Sequence, residues 1–296
     1  MADVSVVVVT FNSIAYLERC LESVGGHELV VVDHGSTDGT LELVRERFPA
    51  ARLIEQENRG FGAGMNTGMQ AAGGRYFLLL NADAWVLDDG VERLHAFAEE
   101  HPDAAVIGPR LLNPDGSLQP SVRGFPTLWR LATEYFFLRK LAPRSRLFNA
   151  FFGAGFDHRS AREAEWLGAA CLLVRREAVE EVGYFDEDYF LFSEEVDWCW
   201  RFRQAGWKVL FFPGAEVMHV FSATYNPKHF NELVRGHLRF FAKHRGARAA
   251  ERVRRLLLVA LRLRGLVFRG ERGAMYRRAA RWLASGTSTK LLAGGP

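Results

Sequence analysis

The chain has 296 residues, of which 48% are hydrophobic and 25% charged, with a net charge of +3. That is enough for one large domain, or one domain with an appendage, of ordinary globular composition. No run of about 18 uninterrupted apolar residues occurs, which argues against a transmembrane helix, and the opening Met-Ala-Asp lacks the basic segment of a secretory signal. Three scattered cysteines, Cys20, Cys171 and Cys199, show neither Cys-x-x-Cys nor Cys/His spacing. They read as reduced thiols in a cytoplasmic protein, not as a zinc site or a disulfide framework. The small net charge hides an asymmetry. From Arg235 onward there are 16 Lys/Arg and two acids, a net +14, while the first 234 residues carry −11. An acidic body with a basic tail calls for an anionic partner or a solvated, self-repelling segment.

In chain order, Val4–Thr10 is a β-branched apolar run and predicts a buried strand of a parallel sheet. Asn12-Ser13 offers a helix cap, and Ile14, Leu17, Leu21 and Val24 follow at helical spacing. Leu29–Val32 predicts a second strand that ends in Asp33-His-Gly-Ser-Thr-Asp-Gly39. A helix follows through Leu41, Val44 and Phe48, and Arg52–Ile54 predicts a third strand. Gly60–Gly73 reads as a glycine-rich helix, and Tyr76–Leu80 as a fourth strand ending at Asn81-Ala-Asp83. This alternation predicts an α/β layer fold with a mostly parallel sheet. The span 110–165, with its prolines, glycines and Phe/Arg patch, reads as an insertion rich in loops. Beyond it come a strand over Trp166–Val174, a helix over Arg176–Val182, a strand over Trp207–Phe212 and Arg-rich helices over Glu232–Leu283.

In such sheets ligands bind beyond the carboxyl ends of the strands. Three polar clusters fall there: Thr10-Phe-Asn12, Asp33 to Asp38, and Asn81 to Asp83. Asp33 is placed to accept hydrogen bonds from a nucleotide base or ribose, or else to hold a polar turn with Asp38 as a cap. Gly60-x-Gly62-x-Gly64 fits neither a dinucleotide fingerprint nor a P-loop. Its glycines would let backbone approach a ligand, and Arg59 could meet phosphate. Ser193-Glu-Glu-Val-Asp197 puts three carboxylates at the start of a helix among aromatic residues. Acids there complement the helix dipole, but the dipole does not require three of them.

Five segments together resemble the inverting family 2 glycosyltransferases of GT-A fold, and most nearly the bacterial rhamnosyltransferase-like group. They are Val8–Asn12, Val31–Gly39, Glu57–Asn66, Leu79–Asp83 and Ser193–Trp198. The resemblance covers about residues 4 to 222 and implies a GT-A domain over 1–230, with a basic helical extension over 231–296. It implies donor binding by Thr10, Asp33, Arg59, Asn66, Asn81 and Asp83. His34 departs from the family, which usually has Asn there. A divalent cation, Mg²⁺ or Mn²⁺, is implied on Asp83 and His219, bridging the donor diphosphate. The family's Asp-x-Asp is Asn81-Ala-Asp83 in this chain, so one charge is lost. Glu195 is implied as the base that deprotonates the acceptor hydroxyl, with Glu194 orienting it. Trp166, Gly168, Ala169 and Asp197 are grouped on the acceptor side, although the reading preferred for Asp197 is that it holds the helix or an Arg such as Arg201.

The expected partners are a dTDP- or UDP-sugar and a growing or polyprenyl-linked glycan. The basic tail, with the apolar run Leu256–Phe268, suits an anionic membrane surface and implies a peripheral location on its cytoplasmic face. The acidic body and the absence of a recognition motif argue against nucleic acid. Two alternatives stand beside this reading: a sugar nucleotidyltransferase, which needs no carboxylate base, and an inactive binding or scaffold protein of the same fold.

Overall fold

The computed structural model describes residues 3–145, 147–149, 151, 156–220 and 229–285. In chain order its elements are β1 (Val4–Thr10), α1 (Ile14–Glu22), β2 (Glu28–Asp33), α2 (Thr40–Arg47), β3 (Arg52–Glu55), α3 (Phe61–Ala71), β4 (Tyr76–Asn81) and β5 (Ala84–Val86). Then follow α4 (Gly90–Glu100), β6 (Ala104–Leu112), β7 (Leu118–Gln119), β8 (Val122–Arg123), α5 (Leu128–Tyr135), β9 (Arg162–Glu163), β10 (Trp166–Leu167) and β11 (Cys171–Arg175). The chain continues with α6 (Arg176–Val182), α7 (Glu194–Gln204), β12 (Lys208–His219), α8 (Phe230–Arg245), α9 (Ala247–Val267) and α10 (Gly270–Ala284).

The chain divides into two compact units. The first holds 1–123, 157–190 and 197–221, and the second holds 124–156, 191–196 and 222–296. Beside the boundary expected after residue 230, this division groups α5 and the first turn of α7 with the second unit.

The first unit is built on one sheet in the order β3-β2-β1-β4-β11-β6-β12-β5, with β7 on β6 and β9 on β12. β3, β2, β1 and β4 run parallel, as do β6 and β12, while β11 lies antiparallel between β4 and β6. The unbroken apolar run of β1 is explained by burial on both faces. Val6 and Val8 join Leu17 and Leu21 of α1 in one core. Val7 and Val9 face α3, where a Cβ added at Gly68 or Gly64 would stand 2.2 Å from Val7 Cγ1 or 2.9 Å from Val9 Cγ1. The glycines of α3 therefore let a helix lie close on the sheet. Gly60 is a related case: its φ is +106°, and a Cβ there would strike the Phe190 carbonyl oxygen at 2.4 Å. Packing against protein accounts for Gly60, Gly64 and Gly68.

Other local expectations also change. Ser13 does not cap α1: the Ile14 N–H donates to Asp38 Oδ2 at 3.2 Å, and Asp38 Oδ1 also accepts from the Thr40 N–H at 3.1 Å. Asp38 thus caps the first turns of both α1 and α2. Burial works against its charge, but the Thr40 hydroxyl and these N–H groups outweigh it and hold the carboxyl below its usual range. The strand expected over Trp166–Val174 is split into β10 and β11 by the turn at Gly168–Ala170. β5, α4 and β6 were not anticipated. Gly108 and Pro109 lie inside β6, where proline cannot donate to the ladder, and they mask an otherwise apolar strand. The pairing of β6 with β12 is irregular just beyond Pro109, between Phe212 and Glu216.

In the second unit, α5, α8, α9 and α10 enclose a core that includes Leu131, Val234, Leu238, Phe240, Leu257, Leu261 and Leu283. Arg264 of α9 is buried there. Its guanidinium donates to the Tyr135 and Glu134 carbonyls, each at 2.7 Å, and its Cζ lies 4.0 Å from the Phe137 ring centroid. A cation on the last carbonyls of α5 complements that helix's dipole and satisfies its orphan acceptors. No helix among the described residues is long and apolar enough to cross a membrane.

Candidate active site

The parallel register brings three of the implied donor residues to one edge of the first unit. Thr10 pairs with Asp33, and Val9 with Asn81, so Thr10, Asp33 and Asn81 end three adjacent strands. Asp33 is fully buried, and its carboxylate holds its own turn. Oδ1 accepts from the Gly35 and Ser36 N–H groups at 2.9 and 2.8 Å, and Oδ2 from the Ser36 hydroxyl at 2.6 Å. His34 packs on α3, where a Cβ at Gly64 would lie 2.6 Å from its Nε2. Burial pushes its imidazole below the usual value, and the charge of Arg59 acts in the same direction. Arg59 pairs with Glu187 at 3.0 Å. Asn66 clamps the loop after α6: its amide nitrogen donates to the Phe185 carbonyl and to Glu187, and its oxygen accepts from the Phe185 N–H. The Thr10 hydroxyl and Asn81 Oδ1 are buried oxygens with no hydrogen-bond partner among the described residues.

β12 ends at His219, and its antiparallel pairing with β5 sets His219 opposite Ala84. The Val220 N–H then donates to the Asp83 carbonyl at 3.0 Å. This register brings His219 Nε2 to 3.3 Å from Asp83 Oδ1 and 3.4 Å from Asn81 Nδ2. Its other ring nitrogen, Nδ1, lies 2.7 Å from Gln119 Oε1. A side-chain amide oxygen only accepts, so Nδ1 carries a proton. Nε2 faces a carboxylate oxygen across 3.3 Å, a separation suited to a proton or a cation between the two atoms.

The donor set fits a hard divalent cation. Neighbouring ligands on an octahedral ion with bonds of about 2.1 Å stand about 3.0 Å apart, close to the separation found here. One carboxylate and one imidazole suit Mg²⁺ or Mn²⁺ better than a thiophilic metal, and Asn81, whose Nδ2 is the atom now 3.4 Å from His219 Nε2, would offer its unpartnered oxygen only with its amide turned. Among the described residues no three His, Cys, Asp or Glu form a metal-holding group. The shell would be completed from outside the protein, as is usual where a cation carries phosphates.

The Trp166–Ala170 segment lies beside this cluster. The Asn81 N–H donates to the Ala170 carbonyl at 3.0 Å, and the Gly168 N–H to Ser121 at 3.0 Å. Nothing lies within 4 Å of where a Gly168 Cβ would point, so Gly168 is not a close-packing residue. Trp166 is buried and pairs with Arg123. Asp197, grouped with the acceptor side, is fully buried and ion-paired with Arg201 at 2.8 Å. Arg201 in turn holds the Val182, Gly183 and Tyr184 carbonyls. Asp197 therefore has the structural role that was its preferred reading.

Glu194 and Glu195 open α7 in the second unit. Just before them, Phe192 and Ser193 have φ of 69° and 72°, a left-handed conformation that costs energy in non-glycine residues. Gly236 of α8 accommodates this turn, since a Cβ there would stand 2.6 Å from Ser193 Oγ. Glu194 is buried, and its Oε2 has no hydrogen-bond partner among the described residues. Burial raises its carboxyl well above the usual range, and the neighbouring Glu195 charge raises it further.

Gln119 was missed by the sequence reading. It lies in a two-residue strand inside the span taken as loops, and its partner His219 is a hundred residues further on. The turn sequence Asn113-Pro-Asp-Gly-Ser117 was the available signal for a hairpin that would carry it.

Acids and amides gathered at the carboxyl ends of a mostly parallel sheet are the arrangement expected of a GT-A glycosyltransferase, and comparison with known proteins identifies that class. Residues 5–164 match the family described as Glycosyl transferase family 2. Over 237 residues the chain is 34% identical to the N-acetylglucosaminyl-diphospho-decaprenol L-rhamnosyltransferase of Mycobacterium tuberculosis, which covers 74% of this chain and 76% of that protein. The fold is shared with the mannosyltransferase PcManGT of Pyrobaculum calidifontis, solved with GDP-Man and Mn²⁺, at a TM-score of 0.54 and 16% identity over 99% of this chain and 83% of that one. It is shared also with GalNAc-T7, solved with UDP, GalNAc and Mn²⁺, at a TM-score of 0.57 and 16% identity over 81% of this chain and 48% of that one. The chain belongs to glycosyl transferase family 2.

The raised Glu194 carboxyl has a consequence for stability. A carboxyl whose folded value lies above its unfolded value of 4.5 favours folding below that pH, and this contribution declines as pH rises toward the folded value. Glu194→Gln removes the penalty of ionising a buried acid. The variant should therefore melt higher than the parent at pH 8 and close to it at pH 4. Melting curves at the two pH values check this, and an equal difference at both would contradict the assignment.

Proposed function

We propose that the protein is a metal-dependent, inverting glycosyltransferase. It transfers rhamnose or a similar sugar from a dTDP- or UDP-sugar to a hydroxyl of a lipid-linked or growing cell-surface glycan. The observation that carries the reading is the Asp83–His219 pair beside Asn81, next to the strand ends that present Thr10 and Asp33. The relative's printed name, with its rhamnosyl donor group and diphospho-decaprenol acceptor, supports the sugar and acceptor classes.

Asp83 and His219, with Asn81, would hold a divalent cation. When bound, the cation neutralises charge that develops on the departing diphosphate. Thr10 and Asp33 bind the nucleoside, and Arg59 and Asn66 support the same side, Asn66 by fixing the 185–187 loop. Glu195 accepts the proton of the acceptor hydroxyl, which attacks the anomeric carbon opposite the diphosphate. Glu194, whose carboxyl is raised by burial and by the Glu195 charge, orients the acceptor. Gly168 and Ala169 leave room for a sugar ring near Asn81, beside Trp166.

The basic C-terminal segment is the membrane-facing part in this reading. On α9, Arg252, Arg255, Val259, Arg262, Leu263 and Leu266 recur at helical spacing and are exposed. Leu266 and Val267 are 80% and 74% exposed, unusual for large apolar side chains. Aliphatic residues flanked by arginines complement an anionic lipid surface, where apolar atoms enter the interface and guanidinium groups meet headgroups. This stripe supports a peripheral location, which we assign to the cytoplasmic face of the membrane, where a polyprenyl-linked acceptor would be found.

Two outcomes follow. Mn²⁺ together with dTDP or UDP should raise the melting temperature of the parent protein, and transfer should release a nucleoside diphosphate. Asp83→Ala should remove the Mn²⁺-dependent part of the shift and lower turnover about 10²–10³-fold. Release of pyrophosphate instead, or an undiminished shift in the variant, would overturn the reading. Separately, the protein should co-float with vesicles containing anionic lipid, and Leu266→Asp with Val267→Asp should weaken this several-fold. Equal flotation of parent and variant would remove the α9 face from the account.

A further inference from the structure

We propose that Gln119 is a positioning residue, the last link of a directional hydrogen-bond relay that fixes the tautomer and ring orientation of His219. The relay starts in the tight turn between β6 and β7. There the Ser117 hydroxyl donates to Asp115 Oδ1 at 2.6 Å, and the Ser117 N–H donates to the same oxygen at 2.9 Å. With its proton committed to a carboxylate, Ser117 Oγ accepts from Asn113 Nδ2 at 2.9 Å. The Asn113 amide is turned so that Oδ1 accepts from Gln119 Nε2 at 2.9 Å. Gln119 Nε2 also donates to the His219 carbonyl at 3.3 Å. A carbonyl can only accept, so this contact settles which end of the Gln119 amide is nitrogen. Gln119 Oε1 is then the atom 2.7 Å from His219 Nδ1, and Nδ1 must donate.

Every link runs in one direction, from His219 toward the Asp115 carboxylate. Reversing the imidazole tautomer would set two acceptors against each other at Nδ1, or require both amides and the Ser117 hydroxyl to turn. The Gln119 side chain meets His219 twice, at the ring and at its backbone carbonyl. This clamp holds the ring plane as well as the proton. Its product is an Nε2 lone pair aimed at Asp83 Oδ1, 3.3 Å away. Outer partners of this kind orient a metal-ligating histidine and raise its basicity, and their loss typically lowers metal affinity about 10- to 100-fold.

The inference rests on the reading of Asp83 and His219 as cation ligands, but its first test does not. In metal-free protein with the ring neutral, Asp83 favours a proton on Nε2 and the relay one on Nδ1, and ¹⁵N NMR of the His219 ring should show the proton kept at Nδ1. Gln119→Leu should give a mixture of tautomers. A ring already mixed in the parent, or unchanged in the variant, overturns the proposal. The second test is Mn²⁺ affinity measured by EPR titration, with circular dichroism to establish that each variant is folded. Gln119→Leu should weaken binding about 10- to 100-fold, while Gln119→Glu, which keeps an acceptor against Nδ1, should restore most of it. Equal losses in both variants would mean that Gln119 serves only packing, and undiminished binding in Gln119→Leu would mean that it does not position His219. If the parent binds no Mn²⁺ even with nucleotide, the metal reading fails, and the NMR result still decides the relay.

Discussion

Two lone-pair atoms held 3.3 Å apart, Asp83 Oδ1 and His219 Nε2, are the constraint on which the candidate site depends. The pair is favourable with a proton or a cation between the two atoms. The fold holds them together by backbone pairing, since β12 and β5 are registered so that His219 stands opposite Ala84. The Val220 N–H to Asp83 carbonyl bond closes the same corner. Backbone pairing thus fixes a carboxylate and an imidazole where a proton or a cation can stand between them.

The remainder of the first unit serves that corner. β1, β2 and β4 bring Thr10, Asp33 and Asn81 to one edge, and α3 can cover the sheet closely because Gly64 and Gly68 leave no side chain in the way. β11, inserted antiparallel next to β4, carries the Gly168–Ala170 turn to Asn81. The second unit presents a different chemistry. There a strained turn and a buried Glu194 open α7, and an arginine-stitched set of helices leaves an apolar and basic stripe exposed.

Much of this was legible in the sequence where one local rule dominated. The Val-rich run of β1 coincides with its strand because burial on both faces demands continuous apolar residues. The GT-A architecture was legible from five motifs in order, none of which suffices alone. β6 was hidden because Gly108 and Pro109 interrupt its pattern, and tertiary pairing with β12 overrides that local signal. The glycines after Arg59 were read as making way for a ligand, and the residues packed against Gly60, Gly64 and Gly68 are Phe190, His34, Val9 and Val7. Gln119 was hidden for a third reason: its meaning lies in a contact with His219 that no local pattern encodes. Asp33 and Asn66 show the limit of reading polar residues as ligands, since most of their hydrogen-bonding capacity holds the protein's own loops.

The central claim is that a cation sits between Asp83 and His219. Crystals grown with Mn²⁺ and a nucleoside diphosphate, measured at the manganese absorption edge, test it most directly. The account predicts one anomalous peak within bonding distance of Asp83 Oδ1 and His219 Nε2, with diphosphate oxygens on its far side. Nucleotide bound with no peak there, and His219 still against Asp83, would contradict it.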